Sequence, residues 1–146
     1  MLKYLIAITA LLGAVLFGLG WNKPNPYLWD SIEVTVTAYN SVPSQTNSQP
    51  FLAAWSDTLK PGQRAVAVSR DLIPMGLDHR TEVHLEGLGT FDGKYTVLDK
   101  TNRRFKKRID LYFGLDIQAA REFGVQKATA YWRGDEFRLA DNILNP

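Results

Sequence analysis

The sequence predicts a small, mainly β domain folded as a mixed barrel. Six short stretches alternate apolar with polar residues or are rich in β-branched residues, which is the pattern of strands. Only one stretch, near residue 120, has the spacing of a short amphipathic helix. Because strands and helices do not alternate along the chain, we do not expect a doubly wound parallel sheet. At 146 residues the chain has room for one such domain.

The first 21 residues predict a membrane segment. Lys3 is followed by an uncharged, mostly apolar run from Tyr4 to Trp21, close to the length of a helix that spans a bilayer. A cleavable signal peptide usually has a shorter apolar run and a clear small-residue cleavage site. The pattern therefore favours a transmembrane anchor over a signal peptide. Lys3 predicts an exported domain on the extracytoplasmic (periplasmic) face, which would be secreted if the segment is cleaved.

A linker and a folded domain are predicted after this segment. Residues 22–31 contain two prolines and two asparagines, which interrupt regular structure. The domain is expected at residues 32–146. Its helix has Asp116 as N-cap and Gly124 after the last turn. The predicted strands are 32–39, 64–69, 81–88, 94–99, 108–113 and 127–132, and the predicted helix is 116–124.

One long connection, residues 40–63, is expected to carry function. A polar connection of this length inside a compact domain is usually functional or disordered. This one contains an apolar cluster from Phe51 to Trp55 that favours packing over disorder. We therefore expect it to form one wall of a cleft beside the barrel.

Composition excludes several kinds of site. The chain has no cysteine, so it has no disulfide, thiolate nucleophile or cysteine-bound metal. His79 and His84 have no clustered carboxylate that would complete a zinc site. We expect neither a metal nor a cofactor. The formal net charge of +2 is too small to predict a nucleic-acid partner.

Two aspartates stand out in the segment VLDKTNRRFKKRIDLYFG, residues 97–114. Asp99 closes one predicted strand and Asp110 lies inside the next, although aspartate is uncommon in strands. Two such strands can bring both carboxylates to one cleft, and paired carboxylates perform glycoside chemistry. The same pattern also fits an exposed aspartate that pairs with Arg108 or Lys100. Both interpretations remain open at the level of the pattern.

Several stretches, taken in order, resemble the 3D (Asp-Asp-Asp) domain family. They are VTAYN, RAVAVSRDLIPMG, VLDKTNRRFKKRIDLYFG, an alanine-rich helix ending in FGV, and KATAYW. The likeness runs from about residue 34 to residue 132. The family forms a double-psi β-barrel and includes the catalytic barrel of membrane-bound lytic transglycosylase A. The resemblance implies cleavage of the β-1,4 bond between N-acetylmuramic acid and N-acetylglucosamine in peptidoglycan, without water, leaving a 1,6-anhydro ring.

The resemblance also implies the site residues. The family's second and third aspartates correspond to Asp99 and Asp110, eleven positions apart as in the family. We expect Asp110 to be the catalytic acid and base and Asp99 to be the neighbour that raises its pKa. The family's first aspartate corresponds to Ser69. The residues expected to bind substrate are Ser69 and Asp71, which follows two positions later, together with the aromatic Tyr39, Trp55 and Tyr112.

Two departures from the family keep other functions open. Ser69 replaces the first aspartate, and the basic TNRRFKKR, residues 101–108, replaces a glycine-rich segment. One alternative is a barrel that binds glycan without cutting it. The other is a cell-envelope scaffold whose basic loop contacts a partner protein. The expected partners of the enzyme are peptidoglycan glycan strands and, through the N-terminal segment, the membrane.

Overall fold

A computed structural model describes residues 29–42 and 49–134 of the chain. The predicted membrane segment, residues 1–21, and most of the predicted linker lie outside these ranges. None of the helices in the described ranges has the length and apolar composition needed to cross a membrane.

The described residues form a closed barrel of six strands, which confirms the predicted mainly β barrel. Around the barrel the strands are ordered β1-β5-β2-β4-β3-β6. The first strand begins at Asp30, two residues earlier than predicted. The strands are β1 Asp30–Tyr39, β2 Ala65–Val68, β3 Glu82–Glu86, β4 Gly93–Lys100, β5 Arg108–Tyr112 and β6 Gln126–Trp132.

The barrel combines parallel and antiparallel pairing. The pairs β1–β5 and β2–β4 are parallel, and the other four pairs are antiparallel. Parallel neighbours need a crossover connection, and neither parallel pair consists of strands that follow one another along the chain. The antiparallel hairpin β3–β4 turns through a short 3₁₀ helix, Gly89–Phe91. A second 3₁₀ helix, Ile73–Met75, follows β2.

The interior of the barrel is filled by the apolar residues of each alternating pattern. In β5, Ile109 and Leu111 are buried, as the alternation predicted. The indole of Trp132 is buried too, and its Nε1–H donates a hydrogen bond to the carbonyl of Met75 at 2.9 Å. A large aromatic ring is thus buried without leaving its polar atom unpaired. The interior also contains Val34, Val36, Val66, Val68, Val83, Leu85 and Val97.

One α-helix is present in the described residues, α1 Ile117–Phe123, and it matches the predicted helix. The carboxylate of Asp116 accepts the backbone N–H of Ala119 at 2.9 Å, so it caps the first turn as predicted. Phe123 is buried and its ring contacts those of Phe91 and Phe113, with centroids 5.2 and 5.5 Å away. The helix is therefore fixed to the barrel by an aromatic cluster.

The long connection between β1 and β2 packs on the outside of the barrel. Ala53 and Leu59 of this connection are buried against outward-facing residues of the strands. A bridge between Leu52 and Thr58 closes the connection on itself. Residues 49–63 are called the covering loop below. The strand residues beneath it are Ala65, Leu98 and Tyr112, with Tyr39 at the edge.

Candidate active site

Four residues lie side by side across four neighbouring strands on the outer face of the barrel. Asp110 of β5 pairs with Thr37 of β1 on one side and with Ala67 of β2 on the other. Ala67 pairs in turn with Asp99 of β4. Directly paired residues project from the same face of a sheet. The two aspartates therefore share a face, two strand spacings or about 10 Å apart at their Cα atoms, with one alanine between them.

A bulge in β4 turns Asp99 onto this face. Val66 pairs with Val97, but the next residue, Ala67, pairs with Asp99, so Leu98 is the extra residue. Without the bulge, Asp99 would lie two positions after Val97 and would face the barrel interior, as Val97 does. A bulge re-aims the following side chains. This irregularity brings the two carboxylates together.

The aspartates lie in a cleft of ≈ 660 Å³. The covering loop forms one wall with Pro50, Leu52, Ala53 and Ala54, which confirms the wall predicted from the sequence. The residues that follow Asp99 form the other wall. The lining residues besides the two aspartates are Tyr39, Pro50, Leu52, Ala53, Ala54, Ala67, Arg70, Lys100, Thr101, Asn102 and Phe105.

Asp110 is half of an ion pair. Its Oδ1 accepts a hydrogen bond from Nε of Arg108 at 2.9 Å and another from the hydroxyl of Thr37. Arg108 also donates through Nη2 to the Thr37 hydroxyl oxygen at 2.7 Å. The guanidinium lies 3.9 Å above the ring of Phe105. The pairing of Asp110 with Arg108, one of the two interpretations of the sequence, is thus present within the cleft.

Asp99 has different surroundings. Its Oδ1 accepts the backbone N–H groups of Ala54 and Lys100, each at 2.8 Å. Burial raises the pKa of Asp99; the two N–H bonds and the charge of Lys100 oppose this, and the charge of Asp110 adds to it. The net effect is a raised pKa. Because both N–H bonds go to Oδ1, Oδ2 is the oxygen that can carry a proton.

Tyr39 adds a hydroxyl group to the cleft. This oxygen is buried and has no hydrogen-bond partner among the described residues. Burial, followed by the charges of Asp99, Tyr112 and Asp110, raises the pKa of Tyr39, so the phenol keeps its proton. An unpaired buried donor is costly. Tyr39 was among the residues predicted to bind substrate.

Ser69 and Asp71 do not line the cleft, and their side chains bind backbone N–H groups near the start of β5. Ser69 has no exposed surface, and its hydroxyl accepts the backbone N–H of Arg108 at 3.0 Å. Asp71 accepts the backbone N–H of Lys107 at 2.9 Å. Burial of Asp71 opposes its charge, but the bonds from Lys107 and Ser69 outweigh it and lower the pKa of Asp71. Both residues, which the resemblance assigned to substrate, hold the backbone that leads into β5.

The other two predicted binding residues, Trp55 and Tyr112, pack against protein groups. The ring of Trp55 stacks on that of His79, with centroids 5.1 Å apart and an interplanar angle of 19°. The ammonium group of Lys100 lies 4.1 Å from the centre of the same indole. Tyr112 is buried, and its hydroxyl accepts a hydrogen bond from Ser41 at 2.9 Å. Trp55 therefore fixes Lys100 at the rim, and Tyr112 supports the loop-covered face.

A charged clamp holds the covering loop in place. Asp57 accepts a hydrogen bond from Nη2 of Arg80 at 2.9 Å, and its second oxygen is bonded to Nε2 of His79. These bonds lower the pKa of Asp57. Ser56 and Arg80 both have positive φ angles, +69° and +63°, which non-glycine residues adopt at a cost. The clamp positions the loop whose Ala54 N–H reaches Asp99.

The sequence reasoning missed Thr37 as a site residue and treated Arg108 only as an alternative partner. Arg108 is two positions before Asp110 on a strand, so the period of two does place it on the same face. Thr37 carries no such signal, because its position beside Asp110 depends on the parallel pairing of β1 with β5. That pairing joins parts of the chain more than 70 residues apart.

In the part of the chain that the structure describes, no group of three or more histidine, aspartate and glutamate side chains is arranged to hold a metal ion. Compared with known proteins, the sequence matches no protein-family model, and no curated protein matches it. What the cleft does is therefore inferred from its own side chains.

Proposed function

We propose that this protein cleaves the glycan strands of peptidoglycan as a lytic transglycosylase. The observation that carries the proposal is the placement of Asp99 and Asp110 on one face of a ≈ 660 Å³ cleft between two walls. Two carboxyl groups that flank a bound sugar are the working parts of glycoside cleavage. The cleft lies between chain segments on both sides, and we propose that a glycan strand occupies it.

We also propose that the barrel is a double-psi barrel of the 3D type. A closed six-stranded barrel with two parallel pairs, β1–β5 and β2–β4, supports this assignment. So does the position of Asp99 and Asp110, the two aspartates of the family motif that the sequence retains, in one cleft. The proposal includes the N-terminal anchor of residues 1–21, which would hold the enzyme on the extracytoplasmic side where its substrate lies.

In the proposed reaction one carboxyl group first donates a proton and later accepts one. A protonated carboxyl donates its proton to the glycosidic oxygen while the bond from that oxygen to C1 of N-acetylmuramic acid breaks. The C6 hydroxyl of the same sugar then attacks C1 and returns its proton to the carboxylate. The products are a free 4-hydroxyl group and a 1,6-anhydro ring, and no water is consumed. A second carboxylate stabilises the positive charge that develops on the sugar ring.

Two observations favour exchanging the roles that the sequence predicted for the two aspartates. The pKa of Asp99 is raised, chiefly by burial, so this carboxyl is the better prepared to carry a proton. Asp110 is ion-paired with Arg108, with its Oδ1 also bonded to Thr37. We therefore propose Asp99 as the acid and base and Asp110 as the stabilising carboxylate.

A glycan-binding barrel without catalysis is the second candidate. The Asp110–Arg108 ion pair favours it, because a neutralised carboxylate stabilises an oxocarbenium charge less well. Ser69 at the position of the first family aspartate favours it as well. Both functions would use the same cleft and the same polymer.

Incubation of the 146-residue chain with purified peptidoglycan separates the two candidates. We expect 1,6-anhydromuropeptides, detected by mass spectrometry. Asp99→Asn should reduce their release by about 10²- to 10⁴-fold, the usual contribution of a general acid–base group. Asp110→Asn should slow release less, because it removes a stabilising charge and not the proton carrier.

The pH dependence provides a further check on the roles. Release should fall as the pH rises through the raised pKa of Asp99, because the acid form is needed. In Asp110→Asn this fall should move to lower pH, since the charge of Asp110 contributes to raising that pKa. Release that depends on Asp110 alone would restore the roles assigned from the sequence. Binding of peptidoglycan without any anhydro product would support the binding barrel.

A further inference from the structure

The connection between β4 and β5 is an exposed cationic segment at the cleft. We call residues 101–107 the basic loop; Lys100 precedes it and Arg108 follows it. Most of the loop is exposed, and Thr101, which is buried, anchors its start. Its four cationic side chains are Arg103, Arg104, Lys106 and Lys107, and all four residues are exposed.

The backbone of the basic loop is fixed at both ends. Thr101 N–H donates to the carbonyl of Val68 at 3.0 Å at the start of the loop. At its end, the side chains of Asp71 and Ser69 accept the backbone N–H groups of Lys107 and Arg108. Lys107 adopts a positive φ of +46° in this turn. The two residues that the resemblance assigned to substrate thus hold the loop in one shape, which lowers the entropy cost of binding through it.

Few cations of the basic loop have an acidic neighbour: the charge of Lys106 acts on Asp71, and that of Lys100, just before the loop, acts on Asp99. Within residues 29–42 and 49–134, the only ion pair that involves the basic loop or its flanking Lys100 and Arg108 is that of Arg108 with Asp110. Arg104 lies 4.7 Å from the ring of Phe105, a contact that leaves its charge uncompensated. Like charges gathered in one place repel one another and raise the local positive potential. A cluster of exposed cations that is only partly compensated attracts anions.

The cationic surface continues into the cleft. Arg70 and Lys100 line the cleft together with the two aspartates, and Phe105 of the basic loop lines it as well. We propose that the basic loop, with Arg70 and Lys100, binds anionic groups carried by the glycan strand in the cleft. The protein would then prefer strands that carry such groups over bare, neutral strands.

This inference rests on the proposed function, because it requires a glycan strand in the cleft. The sugar backbone itself is largely neutral and gives a cluster of cations nothing to pair with. Peptide stems attached to the strand carry carboxylates, and phosphodiester-linked polymers carry phosphates. Lysine and arginine bind both kinds of anion. A flat anionic membrane is the less suitable ligand, since Arg70 and Lys100 line a concave wall.

The experiment compares two matched double variants of the 146-residue chain. Arg103→Gln/Lys106→Gln removes two exposed charges of the basic loop. Arg121→Gln/Lys127→Gln removes two exposed charges outside the basic loop, the covering loop and the cleft, and serves as the control. Both are placed in an Asp99→Asn background, and binding is measured by co-sedimentation with peptidoglycan at low and high salt. Four probes are used: intact peptidoglycan, peptide-stripped strands, hydrofluoric acid-treated peptidoglycan without phosphate polymers, and vesicles containing anionic lipid.

We expect the loop variant to bind intact peptidoglycan roughly threefold to tenfold more weakly than the control, in line with two partly exposed ion pairs. The difference should shrink at high salt because salt screens exposed charges. If the difference disappears on peptide-stripped strands, the ligand is the stem carboxylate. If it disappears after hydrofluoric acid treatment, the ligand is the phosphate. Either result supports the inference.

Equal binding of the loop variant and the control to intact peptidoglycan overturns the inference. A loss confined to anionic vesicles also overturns it and assigns the basic loop to a membrane surface. The outcome is separable from that of the proposed function. If the two double variants show the binding contrast but the wild-type chain releases no anhydro product, cleavage alone is contradicted. If the wild-type chain releases the product but the contrast is absent, the anion preference alone is contradicted.

Discussion

The inner and outer faces of the barrel are built by the same strands but have different compositions. Ile109 and Leu111 of β5 point inward and are almost fully buried. Asp110, between them in sequence, points outward into the cleft. In β2, Val66 likewise points inward and Ala67 points outward into the cleft. The inner face is apolar, whereas the outer face beneath the covering loop presents two carboxylates and a phenol.

Because of this difference, inward-facing residues should determine the stability of the fold, and outward-facing residues should determine the chemistry of the cleft. A buried aliphatic residue stabilises the fold through the apolar surface that it removes from water. A half-buried carboxylate does the opposite when no hydrogen bond or countercharge compensates it. Substitutions at neighbouring positions of one strand should therefore change different properties.

The largest effect is expected at the inner face. Ile109 has no exposed surface, so Ile109→Ala should lower the free energy of unfolding by about 2–5 kcal/mol, the usual range for a large-to-small change in a core. Urea denaturation followed by circular dichroism measures this. Release of anhydromuropeptide per folded molecule should stay near that of the wild type. A change of less than about 1 kcal/mol would mean that the barrel interior is loosely packed.

The inner face is also the part that could be predicted from the sequence. The alternation in β1 and β5 marked which residues are buried, and each of the six predicted strands is present within a few residues of its expected bounds. The helix was predicted by its cap, since Asp116 accepts the Ala119 N–H as a capping residue should. These signals are local, because period and capping depend on residues a few positions apart.

The outer face was predictable only in part. Both aspartates and Tyr39 line the cleft, and so does the covering loop. The bulge at Leu98 was not visible, since an extra residue in a strand leaves the apolar pattern almost unchanged. The contact of Thr37 with Asp110 depends on which strands pair, and a period of two carries no information about pairing. Ser69 was placed near substrate by the resemblance, but burial and its bond to Arg108 give it a structural contact.

An intermediate effect is expected at the clamp of the covering loop. Asp57 has a lowered pKa because Arg80 and His79 bond to it. Its stabilising contribution should therefore be complete above the unfolded-state pKa, near about 4, and should be lost as the pH falls through the folded-state pKa. Asp57→Asn should lower the melting temperature at pH 7. The difference from wild type should vanish in acid, where the wild-type carboxyl is protonated as well.

The same variant should affect the outer face and leave the inner face intact. Loosening the covering loop weakens the Ala54 N–H bond to Asp99, so release of anhydromuropeptide should fall although the barrel remains folded. Glu82→Gln is a suitable control, because Glu82 pairs with Lys94 at 3.5 Å on an exposed part of the barrel. A melting-temperature difference at pH 7 that is as large for the control would show that the clamp has no special role.

The smallest effect on stability, and the one of opposite sign, is expected at Asp99. Because burial raises the pKa of Asp99, its charge is disfavoured in the folded state. The stability associated with this carboxyl is therefore fully present below the unfolded-state pKa and is lost as the pH rises through the folded-state pKa. Asparagine has no charge to bury, and its Oδ1 can still accept the N–H groups of Ala54 and Lys100.

Asp99→Asn should therefore melt at a higher temperature than wild type at pH 7 and at the same temperature in acid, while its release of product is strongly reduced. Asp110→Asn is the matched comparison on the same face. It leaves the half-buried Arg108 without its carboxylate, so its melting temperature at pH 7 should fall. Thermal denaturation of both variants at the two pH values measures the contrast. A lower melting temperature for Asp99→Asn at pH 7 would show that the two N–H bonds to the charged oxygen outweigh its burial, and Asp99 would then be a structural carboxylate like Asp57.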